Sequence, residues 1–315
     1  MKYLVTGGAG FIGSNLVEAL LERGDEVVVL DDLSTGKRAN IEPFMDNSGF
    51  TFIHGSITNP ETCAKACEGM DYVLQHAAMV SVPVSIKDPL TAQEVNVTGS
   101  VNIFMAAKNA GIKRVVSASS TSVYGNSMVL PNVENMPLSP LSPYAASKAA
   151  GEMYARAFSE VYDISIVSLR YFNVFGKRQD PFSNYSAVIP VFISKLLKGE
   201  KPEIYGDGSQ TRDFVHIENI VQANLKAVAK RETEIDGHSF NIGCEKYLTI
   251  NELYRLIAEE LESDIKPLYK TARPGDVRDS YADIQRARNA FGYEPTVDVK
   301  EGLKRSIEWY KRNMV

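Results

Sequence analysis

Cysteine is scarce in this chain: three in 315 residues, Cys63, Cys67 and Cys244. An odd, sparse set is no disulfide framework. Cys63 and Cys67 stand four apart in a helical pattern, but two ligands alone make a poor zinc site and the four histidines are scattered. No metal is expected. Long apolar runs are missing as well. No stretch reaches the roughly 18 apolar residues of a spanning helix, so no membrane partner is expected. An excess of positive charge is also absent. The net charge of -5 and pI of about 5.6 argue against a nucleic-acid partner, which would favour a basic face. The opening MKYLVTGG runs straight into an apolar strand and a glycine turn, without the apolar region and cleavage site of a signal peptide, so a cytoplasmic location is expected. What is present, 44% hydrophobic and 23% charged residues, is ordinary for a globular protein of one large or two medium domains.

The first half alternates apolar strands with helical patterns. KYLVTG, EVVVLDD, TFIHGS, DYVLQHAA, RVVSASS and ISIVSLRYF read as strands; SNLVEALLERG, 93–110 and 144–161 read as helices. Near-continuous β-branched strands separated by helices predict a parallel sheet covered on both faces. The expected fold class is α/β: a Rossmann-type doubly wound parallel sheet with a smaller C-terminal α/β substrate-binding lobe. The predicted boundaries are 1–173 for the first domain, with 213–243 returning to it, and 174–212 plus 244–315 for the lobe. Past residue 173, Pro181, Pro190, Pro202 and Pro274 punctuate the chain and its loops lengthen.

TGGAGFIG sets Gly7, Gly10 and Gly13 between the first strand and its helix. There the backbone must turn tightly, approach a pyrophosphate without a Cβ, and pack helix on strand. The helix N-terminus then offers N–H groups to phosphate. Asp31 closes the second strand. An acid there suits the ribose diol of adenosine and would repel a ribose phosphate, which predicts NAD rather than NADP. Asp32 is a supporting neighbour.

SPYAASKAAGEMYA carries Tyr144 and Lys148, four apart and so on one helix face. Nearby ammonium charge would favour a phenolate and make Tyr144 a general base. ASSTSVYG ends an apolar strand with Ser119, Ser120 and Thr121. Hydroxyls there suit the carboxyl edge of a parallel sheet, where ligands sit.

These motifs together resemble the extended short-chain dehydrogenases/reductases: TGGAGFIG, HAA at 76–78, SSTSVYG, YAASK and RYFNVFG stand in that family's order along the whole chain. Within it the sequence most resembles UDP-hexose 4-epimerases, particularly UDP-N-acetylglucosamine 4-epimerases, through RYFNVFGKRQDP followed by YSAVIP. The resemblance implies a UDP-sugar substrate and a tightly bound NAD regenerated each cycle. Tyr144, Lys148, Ser120 and Thr121 would be catalytic. The implied cofactor contacts are Gly7, Gly10, Phe11, Ile12, Gly13, Asp31, Asp32, Ser56, Ile57, His76, Ala77, Ala78, Asn96, Tyr144, Lys148 and Tyr171. Ser56-Ile57 departs from the family's usual Asp-Ile pair, so Ser56 would hold adenine more weakly.

For the substrate, the resemblance implies Ser81 and Ser120 at the sugar, Asn173 at the diphosphate, and the backbone of Ala187 and Val188 at uracil, with Tyr205 stacked on it. Arg212 and Arg273 would neutralise the diphosphate, and Asp276 would bind the uridine ribose. Ser280 would wall the hexose pocket near the N-acetyl group, where serine leaves room that a bulky aromatic would take. Val80 stands where epimerases restricted to unacetylated sugars often have lysine. A homodimer through a four-helix bundle of 93–110 and 144–161 is implied too. Two other readings stay open. One is a sibling enzyme acting on UDP-glucuronate, as epimerase or decarboxylase, or a dehydratase, although Thr121 and Ser122 stand where a dehydratase would carry an Asp-Glu pair. The other is a non-enzymatic NAD-sensing protein.

Overall fold

The computed structural model describes residues 1–182, 187–230, 233–272 and 278–314. Its first half runs β1 (Lys2–Thr6), α1 (Phe11–Glu22), β2 (Glu26–Asp31), β3 (Phe50–His54), α2 (Pro60–Cys67), β4 (Tyr72–Gln75), α3 (Val82–Lys87), α4 (Pro89–Gln93), α5 (Gly99–Asn109), β5 (Arg114–Ser120), α6 (Pro143–Val161) and β6 (Ile166–Tyr171). There follow β7 (Asn173–Phe175), α7 (Val188–Leu197), β8 (Glu203–Tyr205), β9 (Thr211–Arg212), β10 (Phe214–His216), α8 (Ile217–Ala229) and β11 (Ser239–Ile242). The chain ends with β12 (Leu248–Thr249), α9 (Ile250–Glu260), β13 (Leu268–Lys270), β14 (Asp279–Ser280), α10 (Gln285–Phe291) and α11 (Val299–Met314).

The main sheet has the order β11-β6-β5-β4-β1-β2-β3, with every neighbouring pair parallel. It is the doubly wound Rossmann-type fold. Alternation along β1 explains how it is held: Tyr3 and Val5 enter one apolar core, shared with Leu16, Leu20 and Ile220, while Leu4 enters the other, shared with Cys63, Ile103 and Phe158. Two-sided burial is why these strands read as near-continuous apolar runs. A third core joins α7, α9 and α11. In α9 the buried residues Ile250, Leu253 and Ile257 recur at helical spacing, and a Thr249–Glu252 capping box fixes its start.

Cys63 and Cys67 are buried in α2, and burial pushes their thiols up to about 11 and 12, as expected of packing residues. No described helix is long and apolar enough to cross a membrane. One expectation needs correction. Residues 93–110 are not one regular helix: a π-helical turn, Glu94–Thr98, separates α4 from α5. Within it Asn96 is 3% exposed, its amide bonded to Met79 and Ser147.

Candidate active site

In the main sheet the strand order reverses between β1 and β4, and the crevice beyond that point is where this architecture receives ligands. Gly7 follows β1 with φ +67, and a Cβ on it would lie 2.7 Å from the Ala77 nitrogen. The glycine turn and residues 76–77 therefore pack backbone to backbone; Thr6 Oγ1 accepts the N–H groups of both His76 and Ala77 at 3.1 Å. A Cβ on Gly13 would lie 2.1 Å from the Gly7 carbonyl oxygen, so only glycine lets α1 sit this close to the turn. Gly10 caps α1 without any side-chain hydrogen bond, leaving the first helical N–H groups, at Phe11 and Ile12, facing the crevice for an anion.

Asp31 ends β2, 7% exposed. Its Oδ2 accepts the Ala9 N–H at 2.9 Å and its Oδ1 the Leu33 N–H at 2.8 Å. Burial raises its pKa, against these two bonds, which favour the carboxylate. The acid is thus fixed beside the glycine turn with lone pairs left for a diol. Asp32 is exposed; its carboxylate accepts the Ser34 N–H of its own turn, and its carbonyl lies 3.1 Å from His54 Nε2. Ser56 Oγ accepts from Thr58, and Ile57 packs under Gly99. A cradle closed to any Cβ, an uncapped helix start and a carboxylate at the neighbouring strand end suit a dinucleotide with an unphosphorylated ribose.

At the end of β5, the Ser120 hydroxyl neighbours the Tyr144 phenol and favours its charged form. Tyr144 opens α6, where Ser142 caps the helix and the Tyr144 N–H donates to Ser85 Oγ at 3.1 Å. Lys148, one turn on, donates to the Ala118 carbonyl at 2.9 Å. The sheet edge thus brings Tyr144, Lys148 and Ser120 together. The expected electrostatics need revision: burial raises the Tyr144 phenol, with only the neighbouring Ser120 pulling it down, and it lowers Lys148 to about 8. In the protein alone the lysine's charge goes to the strand rather than to the phenol.

His76 Nε2 and Tyr171 Oη lie 2.8 Å apart with their rings stacked, and Asn224 bonds the same phenol. Burial holds His76 down at about 3, so it stays neutral. Asn96, expected among the cofactor contacts, spends its amide on the protein. It accepts from the Met79 N–H at 2.7 Å and donates to the Met79 carbonyl at 3.0 Å and to Ser147 Oγ at 2.9 Å, clamping the loop after β4 to α6. Ala78 and Ser81 lie in that loop; Ser81 caps α3 through the Val84 N–H.

The substrate residues converge elsewhere. Asn173, Ala187, Val188, Tyr205 and Arg212 line one cleft of about 380 Å³. Asn173 donates to the Asp213 carbonyl, and Arg212 to the Thr211 and Arg278 carbonyls. Besides apolar lining, sequence reasoning missed two polar residues of the cleft, Glu203 and Gln210. Glu203 accepts from Tyr205 Oη at 3.3 Å, and Gln210 donates to the Tyr205 carbonyl at 2.8 Å. Neither has a spacing that would mark it. Ser280 pairs in register with Arg212, and its hydroxyl lies 3.5 Å from Thr121 Oγ1, so β14 joins the cleft to the Tyr144 end. Arg273 and Asp276 lie outside the described residues.

A family model for the NAD dependent epimerase/dehydratase family matches residues 3–243. The chain belongs to that family. A putative UDP-glucose 4-epimerase of Methanocaldococcus jannaschii is 39% identical over 98% of both chains. Among solved structures, the UDP-N-acetylglucosamine 4-epimerase of Methanobrevibacter ruminantium M1, in complex with UDP-N-acetylmuramic acid, is 40% identical over 99% of both chains with a TM-score of 0.94. The UDP-glucose 4-epimerase of Thermotoga maritima, with UDP-glucose, is 37% identical over the full length of both, also with a TM-score of 0.94. Family membership extends the resemblance read from the motifs to the architecture of the whole chain.

Proposed function

We propose that this protein is an NAD-dependent 4-epimerase of UDP-sugars, acting on UDP-GlcNAc/UDP-GalNAc and also on UDP-Glc/UDP-Gal. The observation that carries the reading is the Tyr144–Ser120–Lys148 group at the end of β5, set between the glycine turn and the cleft of Arg212 and Tyr205. Gly7, Gly10, Gly13 and the start of α1 would hold the pyrophosphate, and Asp31 the adenosine ribose. When bound, NAD would supply a hydride acceptor for carbon 4 of the sugar and, once reduced, a hydride donor for the resulting 4-ketone. Tyr144 would take the proton of the 4-hydroxyl as the 4-ketone forms and give it back to the same oxygen on re-reduction, while Ser120, with Thr121 beside it, holds that oxygen. Lys148 supports the phenolate by its charge and holds the nicotinamide ribose.

The uridine diphosphate lies in the cleft, with the Ala187–Val188 backbone and Tyr205 at the base and Arg212 at the phosphates. Arginine's planar fork suits them. Ser280 leaves room for an N-acetyl group, which favours acetylated sugars alongside plain ones. The ligands in the complexes of the two solved relatives, UDP-N-acetylmuramic acid and UDP-glucose, support a pocket of this kind.

We also propose a homodimer. Met105 of α5 and Met153, Tyr154 and Val161 of α6 are exposed on the outer faces of those helices, a face that a two-fold copy would cover. Ala106 and Ala107 belong to the core instead. The function is tested by incubating purified protein with UDP-GlcNAc, UDP-Glc and UDP-glucuronate in turn and following the products by NMR. The C4 epimers of the first two are expected; an epimer formed only from the glucuronate would overturn the substrate assignment.

A further inference from the structure

Helix α6 presents Tyr144, Lys148 and Glu152 at four-residue spacing, and three consecutive residues of β5 answer them. Ser120 neighbours the Tyr144 phenol, the Ala118 carbonyl takes Lys148, and Ser119 Oγ donates to Glu152 Oε1 at 2.5 Å. Nothing in the reading above uses Glu152. Its side chain is 1% exposed and meets Arg170 of β6, itself 4% exposed, in a two-pronged pair: Nε to Oε1 at 2.9 Å and Nη2 to Oε2 at 2.7 Å. The other guanidinium nitrogen, Nη1, turns away to Tyr124 Oη at 2.8 Å and the Glu134 carbonyl, with the Tyr124 ring beneath. Across the sheet, Arg170 is in register with Ser119 on one side and Asn241 on the other. Every prong of the pair is therefore fixed, and its acidic end is the end one turn from Lys148.

A buried ion pair is a weak source of net stability, because desolvation offsets most of the attraction. This one sits where geometry matters. We propose that Glu152, locked by Arg170 and Ser119, is a positioning residue that fixes the Tyr144–Lys148 turn of α6 on the end of β5 and places a negative charge behind Lys148. The proposal rests on the roles given above to Tyr144 and Lys148.

The groups facing Lys148 are few. Tyr144 and Glu152 come from α6, Ser120 and the Ala118 carbonyl from β5, and neutral His76 from the loop after β4, with Tyr171 of β6 behind it. Arg170 is neutralised by the pair. Among these, Glu152 is the carboxylate that opposes the lowering of Lys148 by burial. Removing its charge leaves burial unopposed, so the lysine gives up its proton at lower pH.

The test uses the full-length protein as wild type, Glu152→Gln, Glu152→Asp and the double variant Glu152→Gln/Arg170→Gln. The double variant leaves no unpaired buried charge if the single one fails to fold. Two readouts are taken across pH: acetylation of Lys148 by trace acetic anhydride, followed by mass spectrometry, and kcat/KM for epimerisation. In Glu152→Gln or the double variant, the Lys148 midpoint and the alkaline limb of kcat/KM should both fall by about one pH unit, with Glu152→Asp returning towards wild type. Unchanged midpoints in folded Gln variants would overturn the proposal. If the Lys148 midpoint falls but wild type shows no epimerisation, the functional reading fails while the positioning role stands.

Discussion

Tyr144 can act as a base only if something stabilises its phenolate. Burial raises the phenol, and the neighbouring Ser120 works against that. A raised phenol is protonated at neutral pH, so base character requires positive charge beside it, which Lys148 and the proposed NAD would supply. Tyr144→Phe should cut turnover by about 10²–10⁴-fold, the usual worth of a positioned acid–base group. NAD binding, measured by fluorescence titration, should stay at the wild-type level, because the glycine turn and Asp31 are untouched. Appreciable residual turnover would remove Tyr144 from the role of base. Tyr144 and Lys148 were legible in the sequence because their four-residue spacing is itself a geometric statement. Glu152 stands at the next step of the same spacing, yet its role became visible only with Arg170, which lies 18 residues away in the chain and meets it across α6 and β6.

At the level of elements, the short strand β14 would link the proposed chemistry to selectivity. It pairs in parallel with β9, putting Ser280 against Arg212 on one side and Thr121 on the other. Its place is held by Asp213, which is fully buried. The Asp213 N–H donates to the Ser280 carbonyl at 3.0 Å, and its carboxylate accepts the Cys244 N–H at 2.9 Å and the Ala282 N–H at 3.1 Å. A wall pinned on both sides of Ser280 cannot absorb a large ring. Ser280→Tyr should therefore lower kcat/KM for UDP-GlcNAc by roughly 10–200-fold while sparing UDP-Glc, the range expected for a steric change in a packed pocket. Equal losses on both substrates would refute a gating role. Element identities were readable from periodicity, because two-sided burial makes the strands apolar and helical spacing marks α1 and α6. The π-turn at Glu94–Thr98 was not readable, because it depends on Asn96 reaching Met79 and Ser147 through space.

For the whole molecule, the sheet reversal at β1 and β4 and the cleft beside β7 are the proposed cofactor and substrate sites. The proposed dimer would leave both open, since the exposed residues Met105, Met153, Tyr154 and Val161 lie on helices α5 and α6 rather than around the cleft. Sedimentation should give the mass of two chains, and Met153→Arg should shift it towards one chain with NAD binding retained; a monomeric wild type would contradict the dimer. The central claim is that carbon 4 loses and regains its own hydrogen while its configuration inverts. The most direct measurement is NMR and mass spectrometry of the products from UDP-GlcNAc deuterated at carbon 4. The account predicts the C4 epimer with the deuterium still on carbon 4. Deuterium lost to water, or moved to carbon 6 as in an elimination, would contradict it.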